Sequence, residues 1–145
     1  MFPKTRCIAV AFAVVSCATT PTEKKGSAML PLAIEPGSSR HFLIDSFSVP
    51  QEARAEFEAA MRRNMAFIRT LPGFLGHVAF EKAGGPSMFD VVTIAQWESK
   101  EAYEKAGEAV RAYYKEIGFD MPATLKRWGV RVERGQYTAP RSLHQ

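Results

Sequence analysis

The chain has 145 residues and a formal net charge of +4, enough for one domain with a core and extensions but not for two. Five Lys or Arg and two Glu lie in the first forty residues, so the body carries fourteen basic against thirteen acidic residues. With no basic stripe to track phosphates, nucleic acid is excluded as an expected partner. Both cysteines, Cys7 and Cys17, fall in the leader, which leaves the body without a disulfide, a thiolate metal site or a thiol nucleophile.

Lys4 and Arg6 precede the apolar run Cys7–Val15, and Ser16-Cys17 follows. A basic start and a run this short fit an export signal and not a membrane span. Val14-Val15-Ser16-Cys17 resembles the bacterial lipobox, which implies lipidation at Cys17 and a cell-envelope location. Residues 1–17 are thus expected to be the signal and 18–39 a polar, flexible tether. The alternative is translation from Met29, giving a cytoplasmic protein without the leader.

The domain is expected over 40–138, with 139–145 as a tail. His41–Val49, rich in aromatic and β-branched residues, reads as a strand. Ser48-Val49-Pro50-Gln51 fits a capping box, and Phe57, Met61, Asn64, Ile68 and Leu71 mark one face of the helix that follows. Leu71-Pro72-Gly73 stops that helix. Strands are then expected from about Gly76 to Lys82 and from Met88 to Trp97, with Ala83–Ser87 as the turn. Ser99 caps a second helix marked by Tyr103, Ala106, Val110, Tyr113 and Ile117, which ends near Gly118. A last strand runs from Trp128 to about Tyr137. The order βαββαβ is the ferredoxin-like α+β arrangement, an antiparallel sheet with two helices on one face.

The third strand carries apolar residues on both faces: Val91, Ala95 and Trp97 on one, Val92 and Ile94 on the other. Two helices cover only one. Leaving Val92, Ile94, and Leu43 or Ile44 in water forgoes about 1.5–3 kcal/mol per side chain. A homodimer that covers the open face is therefore expected.

Leu71-Pro72-Gly73-Phe74-Leu75-Gly76-His77 and Gln96-Trp97-Glu98-Ser99-Lys100-Glu101-Ala102-Tyr103 resemble the two signatures of the antibiotic-biosynthesis-monooxygenase domain, and the hairpin between them matches too. The resemblance implies a dimeric α+β barrel with a pocket between helices and sheet. In some members that pocket oxidises quinols or polycyclic phenols with O2 and no cofactor. It also implies where the chain departs from haem degraders. There is no histidine between His77 and His144 to ligate iron, and Asp45 and Ser46 stand where those members place an asparagine.

Chemistry of this kind needs a base, a few oxygen-binding groups and a dry apolar pocket. His77 is the natural base candidate. Asn64, a lone amide on an apolar helical face, is the candidate for binding a substrate oxygen, or else a core-edge amide satisfied by backbone. Trp97 and Tyr103 are candidates for substrate binding, or simply for aromatic packing. The expected function is a cofactor-independent monooxygenase that oxidises a quinol-like or polycyclic phenolic substrate with O2, with no metal and no cofactor. The alternative is a non-catalytic, dimeric ligand-binding module at the envelope.

Overall fold

The computed structural model describes residues 32–144; the export run and Cys17 lie outside them. Four strands, β1 (His41–Ser48), β2 (Phe74–Glu81), β3 (Val91–Trp97) and β4 (Arg131–Tyr137), form one sheet in the order β2-β3-β1-β4, every neighbour antiparallel. Helices α1 (Arg54–Ile68) and α2 (Lys100–Glu116) accompany the sheet in the expected ferredoxin-like order. A third helix, α3 (Met121–Arg127), had no counterpart in the expected two-helix layer. Asp120 caps it by accepting from Ala123 N–H at 2.9 Å, with Pro122 in its first turn. Trp128 therefore closes α3, and the last strand starts only at Arg131.

The core lies between α1, α3 and the sheet: Phe47, Val49, Phe57, Val91 and Val130 are buried together, with Met61, Leu125 and Trp128 packed on them. Each such side chain contributes about 1.5–3 kcal/mol by leaving water. The expected capping box at Ser48 does not form. Asp90, just before β3, ties this stretch instead: its Oδ2 accepts from Val49 N–H at 2.9 Å and its own N–H donates to Phe47 O at 2.7 Å. A 3-10 turn (Gln51–Ala53) then leads into α1.

The two signature segments meet in space. Gly73, at φ +78°, accepts from Glu98 N–H at 2.9 Å, and a Cβ on it would sit 2.6 Å from the Ala102 Cβ. Only glycine allows both the left-handed turn and the approach of α2. Ser99 caps α2 as expected, accepting from Ala102 N–H at 3.1 Å, and Gly118, at φ +64°, follows its end.

On the sheet face away from the helices, Phe42 and Gln96 are buried within the chain itself. Gln96 Nε2 donates to Ala33 O at 2.7 Å, and Gly37 N–H donates to Ala139 O at 2.7 Å. Residues 32–39 and the tail thus pack over the β1 end of this face, where a free tether had been expected. Ile44, Val92 and Ile94 remain half-buried there, and Phe80 is 53% exposed. Leu43 points to the opposite side, toward the helices.

Candidate functional site

A largely apolar cavity of about 100 Å³ lies between the sheet, α1, the end of α2 and α3. Alternation along each strand decides which residues reach it. On β1 these are Leu43, Asp45 and Phe47; on β3, Thr93, Ala95 and Trp97; on β2, His77; and on β4, Arg134. The α1 face supplies Phe57, Asn64 and Ile68, while Tyr114, Phe119, Met121 and Leu125 close the far side.

Of the four body residues singled out in the sequence, the cavity brings together three. His77 is half-buried, and its pKa is lowered, first by desolvation and then by the Arg69 charge, with Asp45 opposing. The imidazole is therefore neutral at neutral pH and able to accept a proton. Asn64 is buried, and its Oδ1 accepts from the Arg63 guanidinium at 3.2 and 3.3 Å, leaving the amide N–H groups as what it can offer a ligand.

Trp97 is 4% exposed, packs edge-on against Phe74, and its Nε1–H has no partner among the described residues. A buried donor without an acceptor costs about 1–3 kcal/mol, so this N–H is poised for one.

Tyr103 does not line the cavity. It lies at the start of α2, tilted against His41 at 5.1 Å and edge-on to Trp97 at 6.2 Å. The tyrosine that does line it is Tyr114, on the same helical stripe but three turns later, about 16 Å along the axis. Burial pushes the Tyr114 hydroxyl up to about 12, against the opposing charges of Arg134 and Arg63, so it stays a proton donor.

The strongest polar feature was missed in the sequence. Arg134 grips the buried Asp45 carboxylate with a two-pronged hydrogen bond, Nε to Oδ1 at 2.7 Å and Nη2 to Oδ2 at 2.8 Å. That bond raises the arginine's pKa, against its own desolvation. Asp45 carried a readable signal, a carboxylate between Leu43 and Phe47 on the apolar side of β1. Arg134 carried none, since β4 is polar on both faces. Among the described residues no three His, Cys, Asp or Glu side chains come together as a metal-binding group.

The model of the family described as Antibiotic biosynthesis monooxygenase matches residues 40–113. None of the curated proteins compared with the chain matches it significantly. Among solved structures, SnoaB, a cofactor-independent oxygenase from Streptomyces nogalater, is 25% identical with a TM-score of 0.54, the match covering 70% of this chain and 94% of SnoaB. A candidate antibiotic biosynthesis monooxygenase from Nitrosomonas europaea is 16% identical with a TM-score of 0.53, covering 74% of this chain and 94% of its own. A conserved protein from Methanosarcina mazei is 14% identical with a TM-score of 0.52, covering 69% of this chain and 93% of its own. At those identities the last two support the fold alone.

Proposed function

We propose that this chain, which belongs to the antibiotic biosynthesis monooxygenase family, uses its largely apolar cavity to oxidise an electron-rich phenol or quinol with dioxygen and without a resident cofactor. One observation carries the reading: a neutral histidine, a buried amide and a tryptophan ring, His77, Asn64 and Trp97, line the same small apolar space. The likeness to SnoaB, itself a cofactor-independent oxygenase, supports it.

The chemistry follows from the groups present. His77 takes the hydroxyl proton, and the phenolate passes one electron to O2. The two radicals join at a ring carbon, forming a C–O bond. The resulting hydroperoxide loses water as the proton on that carbon leaves. One oxygen atom ends in the quinone and the other in water, and two hydrogens leave the substrate. Asn64 and Trp97 Nε1–H donate to oxygens of the substrate or the peroxide, and the apolar walls exclude water from the radical pair. Tyr103 acts on the ligand only through the ring of Trp97.

An oxygen electrode with a panel of phenols and hydroquinones tests this reading. The chain should consume O2 catalytically, and His77→Ala should lower turnover roughly 10²-fold or more. Binding of the same phenols without oxygen uptake would make the chain a ligand-binding module instead.

We infer further that the chain works as a homodimer joined through the sheet face around Val78, Phe80 and Val92, which its own terminal segments leave open. Sedimentation equilibrium should give twice the chain mass, and Phe80→Asp should return it to the monomer. A wild type that stays monomeric at micromolar concentration would refute the dimer.

A further inference from the structure

The cavity is small and the charges around it are unbalanced. At about 100 Å³ it falls below the ~150 Å³ engineered cavity that takes benzene, and well below the ~300 Å³ at which drug-sized pockets begin. One ring fills it, with slight relaxation of the Met61 and Met65 side chains; a second fused ring exceeds it and would have to extend past the rim. Three guanidinium groups lie near this space, and one of them lines it. Arg134 lines it from β4; Arg63 lies with its guanidinium carbon 4.4 Å from the centre of the Phe119 ring; Arg69 is close enough to act on His77.

Only Asp45, on β1, answers them. His77 on β2 is neutral, Tyr114 on α2 stays protonated, and β3 and α3 contribute no charged group to the lining. Neither Arg63 nor Arg69 has a carboxylate partner among the described residues. Arg63 and Arg69 are exposed, so water screens them, and Arg134 is the guanidinium that meets the cavity directly.

Arg134 is placed to receive an anion there. Two of its five N–H groups hold Asp45, which fixes the plane of the fork and leaves three donors free. Its side chain is 51% exposed while that of Asp45 is 9% exposed, so the guanidinium forms part of the cavity's rim. It lies outside residues 40–113, in the part of the chain that the family match does not reach.

Resting on the oxygenase reading of the same cavity, we propose that its substrate is a single-ring phenol bound as the phenolate, the ring held among Phe57, Ile68 and Phe119 and the charged oxygen received at the rim by Arg134, which Asp45 aligns. Binding the anion places the electron-rich form in the cavity before oxygen arrives, and it selects against neutral and fused-ring compounds.

The test is a binding titration of the full chain with para-nitrophenol, whose phenolate alone absorbs visible light and which dioxygen does not attack. The bound ligand should ionise at a pH at least one unit lower than the free one, equivalent to roughly tenfold or tighter binding of the anion than of the phenol. A nitronaphthol should bind at least tenfold more weakly. Arg134→Gln should abolish the shift and Arg134→Lys should keep part of it.

Because Arg134→Gln leaves Asp45 buried without its partner, the paired variant Asp45→Asn with Arg134→Gln is measured beside it. It retains a neutral hydrogen-bonded pair and should likewise show no shift. The proposal is overturned if para-nitrophenol binds preferentially in its neutral form, if the nitronaphthol binds equally well, or if the shift survives both variants. It is also overturned if no phenol binds at any pH. Oxygen uptake by some other quinol would in each of these cases leave the oxygenase reading standing, so the two fail separately.

Discussion

Replacing Trp97 with Phe separates a structural tryptophan from a ligand-binding one. The ring is 4% exposed and packs against Phe74 and Tyr103, so a smaller aromatic loses some buried area and leaves a small void. On the scales of ~25 cal/mol per Å² of area and ~24 cal/mol per Å³ of void, that loss is about 1–2 kcal/mol. The substitution also deletes the unpartnered Nε1–H, whose burial costs about 1–3 kcal/mol. The two effects oppose each other and are of similar size. Urea unfolding of the ligand-free protein should therefore place Trp97→Phe within about 1 kcal/mol of wild type, whereas Trp97→Ala should lose about 3–5 kcal/mol. Turnover should move the other way. Losing a hydrogen bond to a charged oxygen costs about 1.5–3 kcal/mol, or roughly ten- to a hundredfold in rate. A Trp97→Phe protein destabilised as much as Trp97→Ala would refute the reasoning, because the N–H would then be paid for within the fold. Unchanged turnover would refute its role toward the ligand.

Gly73→Ala should destabilise by at least about 2 kcal/mol in the same assay, since the φ of +78° and the 2.6 Å approach of Ala102 both penalise a side chain there. Stability should rise with pH in the window below about 6.5, because His77 has a folded pKa under its ordinary value and the unfolded chain binds the proton first. That contribution is complete above the window and is lost as pH falls. His77→Phe should flatten the slope, and an unaltered slope in that variant would assign it to other groups. Expressed in a bacterial host, the protein should partition with membranes, Cys17→Ala should release it, and a native N-terminus at Met29 in the cytosol would contradict the anchor.

Local signals made most of the fold legible. Aromatic and β-branched content placed two neighbouring strands, His41–Ser48 and Val91–Trp97, to within a few residues, and the 3.6-residue period with Ser99 and Gly118 bounded α2. What escaped was either too short or too distant. Seven residues of α3 do not complete two helical periods, although Asp120-Met121-Pro122 already reads as a cap followed by a first-turn proline. The Asp45–Arg134 pair joins residues 89 positions apart, and only the β1–β4 register brings them face to face.

The candidate site divides in the same way. His77, Asn64 and Trp97 stood out as chemically unusual residues within apolar patterns, and all three reach the cavity. Tyr103 matched the helical stripe but not the depth along it: the cavity lies under the far end of α2, where Tyr114 occupies the same face. The capping box at Ser48 had the right residue types, yet Asp90, from beyond the β2–β3 turn, ties the neighbouring Val49 N–H, and the helix starts later, through a 3-10 turn. A local motif cannot register such a rival.

The account stands on one chemical claim, that this cavity inserts an oxygen atom from O2 into a phenol using only the substrate's electrons. The direct measurement is a turnover with heavy-isotope dioxygen and a single-ring hydroquinone, on protein freed of metal and flavin by dialysis against chelator. The account predicts one labelled atom in the quinone product and one in water for each O2 consumed, at a rate that needs no added reductant. Product without label, or activity that appears only when a metal, flavin or reductant is restored, would contradict it.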